Sequence, residues 1–577
     1  MGKQVELSFG HASPPDRRHT AHVSRGCTRY QQALHRRCGR KRDCRLLPWP
    51  GAARYLSAMP SPVLTTPSGQ PSEPAESLVP RLGTLTLGWL PLTLLILGVL
   101  AVFRIAVLVL ADYTLGPDEA QYWAWSTEPA FGYYSKPPMV AWIIAATTSV
   151  FGDAEWAVRL GAPLIHTGTA LLLYVLGQDL YDRRIGFWSA VVYATGPAVW
   201  FSSGLITTDV PLLFFAALAL VAFNRALRRR SLGWAALFGA AVGLGLLSKY
   251  TMLYLPASAF LFLVLSRDDR WMLWSRHGIL AAAVTLVLLA PNLVWNLRHG
   301  LSTLDHTADN FNWGADLFNP DKLLAFVGAQ FGVFGPLLFA FLLGGLLFGL
   351  VTMRSRRPGR ADLFLLCFVL PLLAVVMAQA LLVRAHANWA APVYVAATVL
   401  VVAWAARIPR AWPVIPVSVG LHTLLGLVLA TALLWPNLAE AVGRGGDFRQ
   451  VRGWDTIGAA VMEAAAAGHD GRPYAVVLTD HRMLHASLLY YARPMPQPLR
   501  IWHPGGTPTD HFQLTTPFRG EGGGPVLLVT PYTNNDSGVL GRFDRVEALS
   551  EVTVPTGGRR SFTVRLFALD GYRPSTP

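Results

Sequence analysis

From residue 85 onward the chain alternates long apolar runs with short polar connections, and the runs exceed what soluble core helices need. Leu85 to Leu110 contains a single charge, Arg104, and Phe334 to Met353 contains none. About 20 apolar residues cross the hydrocarbon core of a bilayer. On that criterion spans are expected near 85–110, 160–180, 186–206, 211–226, 233–248, 251–266, 278–295, 323–352, 362–382, 390–406 and 412–435, about eleven transmembrane helices in all. Beyond 435 the pattern changes. Strand-like runs at Tyr474–Thr479 and Pro525–Thr530 enclose a helical stretch at 481–491, which predicts a small α/β domain. The expected fold class is therefore an all-α polytopic membrane domain over 81–435, with a large loop at 111–159, followed by a soluble α/β domain over 436–577.

Composition agrees: 52% of residues are hydrophobic and 14% charged, against about 25% charged in a typical soluble domain. The net charge of +15 invites a nucleic-acid reading, so its location matters. Twelve Lys/Arg and three Asp/Glu precede Met59, which places nine of the fifteen net charges in that segment. The segment has no helical or strand period, and its Ser and Pro content runs on to about Pro80. Residues 1–80 read as a disordered, basic cytoplasmic tail, and Met59 would be a sufficient start. A basic RNA-binding tail is the competing reading; no nucleic-acid partner is expected. There is no secretory signal peptide pattern, so the first span serves as an uncleaved anchor. Cys27, Cys38 and Cys44 lie in this tail and Cys367 inside a span, which implies no disulfide framework.

Basic residues also orient the spans. Arg183–Arg184, the run Arg225 to Arg230, Arg267 to Arg276, Arg354 to Arg360, and Arg407 with Arg410 fall in one set of loops. The other set, though longer, holds only Lys136, Arg159, Arg298, Lys322 and Arg384. By the positive-inside rule the first set faces the cytoplasm. The 111–159 loop and the C-terminal domain then lie outside, in the periplasm of a bacterial inner membrane.

The outer loop contains Gly116-Pro117-Asp118-Glu119-Ala120-Gln121-Tyr122-Trp123-Ala124-Trp125 and, later, Gly132-Tyr133-Tyr134-Ser135-Lys136-Pro137-Pro138. Two adjacent carboxylates at a membrane surface are costly without a purpose. Pro117 suits a helix start and acids favour a first turn, so a plain helix cap is the competing reading. Tyr122, Trp123 and Trp125 suit an interfacial belt on either reading.

Pro-Asp-Glu after the first span, paired with Lys-Pro-Pro before a short amphipathic helix, resembles the GT-C membrane glycosyltransferases. Within these it is similar to the bacterial branch of lipid A aminoarabinose transferase and to relatives of the protein O-mannosyltransferases (glycosyltransferase family 39 type). The resemblance continues through Phe151-Gly152, Val158-Arg159, Ile206-Thr207-Thr208-Asp209-Val210-Pro211 and Leu247-Ser248-Lys249-Tyr250-Thr251. It covers 85–300 well and the later spans by pattern. It implies an inverting transfer of a sugar from a polyprenyl-phosphate carrier, by single displacement, to a glycolipid or glycan acceptor among membrane lipids. Lipid A or lipopolysaccharide is the first expectation for the acceptor, with protein hydroxyls as the alternative. Such chemistry needs a base for the acceptor hydroxyl and cations for the departing phosphate. The resemblance places Asp118 as catalytic carboxylate and Glu119 as its support or an acceptor ligand. It places Lys136 and Tyr133 at the carrier phosphate and Asp209 as a second acid of the site. In the aminoarabinose transferases a basic residue closely follows the Asp-Glu pair. Here Ala120 and Gln121 stand there, so the donor sugar does not carry over.

Arg384, His386 and Asn388 sit at the outer end of the ninth span, where a cation suits the donor phosphate; snorkelling is the competing reading. Lys249, at an outer junction of two spans, is a site candidate by the same logic, with a plain helix-end lysine as the alternative. The polar, aromatic segment 305–313 is a candidate for acceptor recognition. No His/Asp spacing matches a metal site, so no obligatory metal or other cofactor is expected, although some GT-C enzymes use a divalent cation. Glycines 243, 245, 344 and 345 lie within spans and suit close helix packing. His481, His485 and His511 read as structural. A flippase for lipid-linked sugars is the alternative function, but transporters favour repeats and midplane charges, and this chain has its acids at the outer interface.

Overall fold

The computed structural model describes residues 81–82, 85–86, 88–301, 303, 317–352, 358–533 and 536–574. The predicted basic tail with its three cysteines and the whole of the 305–313 segment lie outside the described residues.

The described chain is mostly helical. Six helices are long and apolar enough to cross a membrane: Trp89–Leu110, Glu155–Leu180, Asp209–Arg229, Arg276–Arg298, Arg360–Leu382 and Val414–Leu434. Shorter apolar helices occupy Met139–Phe151, Leu232–Leu246, Tyr250–Leu265, Pro336–Val351 and Val393–Arg407. Asp209–Arg229 is the central helix, with 78% of its apolar window buried, whereas only 11% of the Arg276–Arg298 window is covered by protein. The latter keeps Ile279, Leu286, Val287 and Leu297 exposed, as a lipid-facing surface requires. Phe223 on the central helix packs against Phe238, Phe262, Phe364 and Phe368, which ties four helices together.

Two expected spans are interrupted. The one read as 186–206 is a helix over Arg183–Thr195 and a second over Pro197–Ser202, because Pro197 starts a new helix and extends Gly196. The one read as 323–352 breaks into Pro320–Val333 and Pro336–Thr352. At the break Gly335 has φ +99°, and a Cβ there would lie 2.0 Å from the His422 ring. An apolar run without charges reads as continuous whether or not one glycine in it turns left-handed. Of the Gly344–Gly345 pair only Gly345 is packed, against Trp404. Arg104 does not reach water: it is buried, lies over Trp200 at 4.7 Å and donates to the Ala194 carbonyl.

The C-terminal part forms a five-stranded sheet of β1 (Val476–Thr479), β2 (Leu499–Ile501), β3 (Val526–Thr530), β4 (Phe543–Gly557) and β5 (Arg560–Tyr572), ordered β2-β1-β3-β5-β4. β1 pairs in parallel with β2 and β3, while β5 is antiparallel to β3 and β4. β1 and β3 are buried along their whole length, which matches their unbroken apolar sequence. The helix Arg482–Tyr491 follows β1 directly.

That helix lies on Pro117–Thr127 from the first loop, and the contact is aromatic. Trp123 meets Tyr490 edge-on at 4.9 Å, and Trp125 meets both Tyr133 and His511. Polar links reinforce it. The Leu115 amide donates to the Tyr491 hydroxyl at 2.5 Å, Tyr134 donates to the Pro508 carbonyl at 2.9 Å, and Arg493 pairs with Asp153 at 3.4 Å. The loop that carries Asp118 and the C-terminal sheet region are thus on the same side of the helix bundle.

Candidate functional site

Gly116 caps the Pro117–Thr127 helix, so Asp118 and Glu119 occupy its first turn. Adjacent helical residues point about 100° apart, and the two acids meet opposite fates. Asp118 stays exposed, with 68% of its side chain open. Glu119 turns inward and is buried.

Glu119 accepts hydrogen bonds from Arg159 Nε and Nη2 at 2.9 and 2.7 Å, and from the amides of Gly116 and Ile206 at 3.0 Å. Arg159 in turn donates to the Tyr113 and Thr114 carbonyls and lies over the Tyr113 ring at 4.2 Å. With its lone pairs occupied, Glu119 has no capacity for an acceptor. Of its two expected roles, acceptor ligand does not fit this geometry, and support of the Asp118 turn does. It is a positioning residue that ties the Asp118 helix to the turn leading into Asp209.

Asp209 begins the central helix and receives Lys249 Nζ and Asn388 Nδ2, each at 2.7 Å. One carboxylate thus joins three elements remote in sequence. The backbone brings Lys136 beside them. The Tyr133 amide donates to the Lys136 carbonyl at 3.1 Å, and the Met139 amide to the Leu247 carbonyl at 3.0 Å. Among the described residues the Lys136 ammonium has no hydrogen-bond or ion-pair partner. Burial, then repulsion from Lys249, lowers its pKa from the ordinary lysine value, and Asp118 and Asp209 oppose that shift.

Arg384 and His386 are exposed near Lys249, and Arg384 has no side-chain partner among the described residues. Partial burial, then the adjacent Arg384 and Lys249 charges, hold the His386 imidazole below its ordinary value. Tyr133 is a second correction. Its hydroxyl donates to the Trp125 carbonyl at 2.7 Å, and its ring stacks on Trp125 at 4.6 Å. It braces the loop and does not reach toward a phosphate.

The residue that the loop sequence did not reveal is Arg482, at the start of the C-terminal helix. Its Nη1 donates to Asp118 Oδ1 at 3.2 Å and to Gln121 Oε1. Sequence offers only one indirect signal for it: Ala120 and Gln121 stand where the resemblance to the aminoarabinose branch implies a basic residue. The resulting site has two carboxylates, Asp118 and Asp209, and four cations, Lys136, Lys249, Arg384 and Arg482. A carboxylate with a free oxygen beside unpaired cations is equipped to take a proton while a phosphate leaves. Among the described residues no group of three or more His, Cys, Asp or Glu is placed to hold a metal ion.

The family of dolichyl-phosphate-mannose-protein mannosyltransferases matches residues 135–295. The lipid A galacturonosyltransferase RgtD of Rhizobium johnstonii is 34% identical over 439 residues, which cover 76% of this chain and 90% of that protein. An undecaprenyl phosphate-α-4-amino-4-deoxy-L-arabinose arabinosyl transferase of Pseudomonas paraeruginosa is 32% identical over 165 residues, 28% of this chain and 30% of that one. Among solved structures, ArnT of Cupriavidus metallidurans in the apo state aligns over 83% of this chain and 98% of its own, with a TM-score of 0.60 at 17% identity. The same protein bound to undecaprenyl phosphate aligns with a TM-score of 0.57.

Proposed function

The chain belongs to the membrane glycosyltransferase family of the lipid A galacturonosyltransferase RgtD, and from that premise we propose that it moves a sugar acid from a polyprenyl-phosphate carrier to lipid A or a lipopolysaccharide glycan. It is a multi-pass membrane enzyme. Eleven crossings of the bacterial inner membrane are proposed, with Arg183–Thr195 and Pro197–Ser202 together making one, Pro320–Val333 and Pro336–Thr352 together making another, and Met139–Phe151 left in the outer loop, so that the site lies on the periplasmic face. Two features support that count. The arginine-rich loops define a cytoplasmic side, and an odd number of crossings from a cytoplasmic N-terminus leaves the C-terminal region beside the first loop, where it packs.

The observation that carries the reading is the exposed Asp118 carboxylate, one oxygen held by Arg482, beside the unpaired Lys136 ammonium. Asp118 takes the proton of the acceptor hydroxyl as that oxygen bonds the anomeric carbon. The bond from that carbon to the phosphate oxygen breaks in the same displacement, with inversion. Lys136 and Arg384 hold the phosphate as its charge rises. Asp209 fixes Lys249 and Asn388 behind them. No obligatory metal is included in this reading, and chelator treatment of the purified enzyme checks that point. The donor assignment is supported by the name of RgtD, which aligns over most of both chains.

Mass spectrometry of carrier lipids and envelope glycans from wild-type, Asp118→Asn and deletion strains tests the proposal. Both mutants should lack one sugar mass on the same glycan while the sugar–carrier lipid persists. A well-expressed Asp118→Asn protein that supports wild-type glycan would sink the assignment of the base.

A further inference from the structure

Three buried or half-buried arginines in this chain grip a carboxylate with the same edge. Arg159 holds Glu119, Arg225 holds Asp179 and Arg360 holds Asp269, each through Nε and Nη2 together. This side-on fork is the geometry in which guanidinium matches a carboxylate best. Arg482 differs. It is anchored through Nη1 alone, to Asp118 and the buried Gln121. Its Nε and Nη2 have no partner among the described residues, and 36% of the side chain is open. The residue is anchored at the mouth of the site through one nitrogen, with its Nε/Nη2 edge unfilled.

The charge of the site calls for a second anion. Four cations, Lys136, Lys249, Arg384 and Arg482, face two open carboxylates, Asp118 and Asp209; Asp510 beside Arg482 is taken up by the Phe512 and Gln513 amides, and the His386 imidazole is held below its ordinary value. The excess is two positive charges. A lipid-phosphodiester donor of a neutral sugar brings one negative charge, and an amino sugar brings none net. A sugar acid brings two. The match also survives the reaction. Once Asp118 has taken the acceptor proton the excess is three, and the products are a doubly charged phosphate and one carboxylate. With a neutral sugar one positive charge is left over before and after.

We propose that the open Nε/Nη2 edge of Arg482 binds the carboxylate of the donor's hexuronic acid, so that the C-terminal region supplies the donor-specificity residue of a membrane-embedded site. This rests on the transferase reading above and deepens it. Because Nη1 of the same guanidinium holds Asp118, recognition of the sugar acid and orientation of the base share one group. A carboxylate bound on the open edge then sits within a pyranose ring of the reacting carbon. Lys136 and Arg384 remain for the phosphate.

The test uses the purified full chain in nanodiscs with lipid A as acceptor and two donors on one carrier, polyprenyl-phosphate hexuronic acid and the corresponding neutral hexose. The quantity read is the ratio of kcat/KM for the acid over the neutral donor. Effects on Asp118 orientation or on folding act on both donors and cancel in this ratio. In wild type the acid is preferred; Arg482→Gln should lower the ratio roughly 10- to 100-fold, the range of charge-assisted hydrogen bonds. Arg482→Lys, which keeps the charge without the planar fork and provides for a glutamine variant that does not fold, should lower it by a smaller factor. A wild-type enzyme indifferent to the two donors, or a ratio unchanged in the substituted enzyme while both rates fall, overturns the assignment and returns Arg482 to holding Asp118 or the carrier phosphate. If wild type consumes neither donor, the transferase reading itself fails.

Discussion

The two ends of the helix bundle handle charge in opposite ways. At the end with the arginine-rich loops, every buried or half-buried acid among the described residues is closed by an arginine. Asp179 pairs with Arg225 at 2.5 Å, Asp269 with Arg360 at 2.9 Å and Asp362 with Arg407 at 2.5 Å. Ser266 adds a hydrogen bond to Asp269, and Tyr181 adds one to Asp362, both at 2.6 Å. Charges cancel within each of these pairs, and the pairs join elements distant in sequence. At the opposite end Lys136, Arg384 and one edge of Arg482 stay unfilled, and the signs do not balance. A half-buried cation without a partner, as Lys136 is, carries a desolvation cost, which a ligand that brings its own negative charge offsets. Glu119 with Arg159 shows the difference within one helical turn: a saturated pair beside an acid left open.

The contrast can be broken most severely at Asp118. Asp118→Asn keeps shape and hydrogen bonding but removes the base, so kcat should fall by about 10²–10⁴ with unfolding temperature unchanged. A smaller loss would mean that the open acid only orients the acceptor. Next in size, Arg159→Met leaves Glu119 buried without its counter-charge and should cost about 3–5 kcal/mol. Thermal unfolding in detergent reads this, and Glu119→Gln in the same chain should recover part of it. A single variant as stable as wild type would remove Glu119 from the structural class.

Lys136→Met should lower donor kcat/KM roughly 10- to 100-fold, while Lys136→Arg keeps most of it. A pH profile sharpens the point. The ammonium must be protonated to hold phosphate, and its lowered pKa means that it loses that proton at lower pH than a free lysine does. Activity should therefore decline on the alkaline side before the ordinary lysine range, and Lys136→Arg should abolish that limb. An identical limb in both enzymes assigns it to another group. The smallest effect belongs to the closed end. Arg225→Gln should lower stability by about 1–3 kcal/mol yet leave kcat within about twofold, because distant sites act independently. A large loss of kcat would show that the closed end communicates with the site.

Much of this was legible in the chain. Apolar runs announced the bundle because each long enough run must cross or be buried, and Pro117, Asp118 and Glu119 announced a helix start. Lys136, Asp209, Lys249 and Asn388 were candidates by position, and the fold gathers them. The resemblance leaves Glu119 as support or acceptor ligand and places Tyr133 at the phosphate, because sequence shows residue type but not the direction of a side chain. The direction came from Arg159, forty residues away, and from the stacked Trp125. Arg482 is not legible in the sequence, because the C-terminal region carries no nucleophile–base pattern and one arginine on a helix has no signature.

The sequence by itself determined the apolar segments, the side of the bundle that carries the arginines and the residues able to do chemistry. These are properties of composition and local period, which each segment expresses alone. The tertiary structure alone decided which acid is open and which is closed, where apolar runs break, and that a residue beyond position 480 reaches the first loop. Those outcomes depend on partners distant along the chain, because a buried charge takes its role from whatever is packed against it.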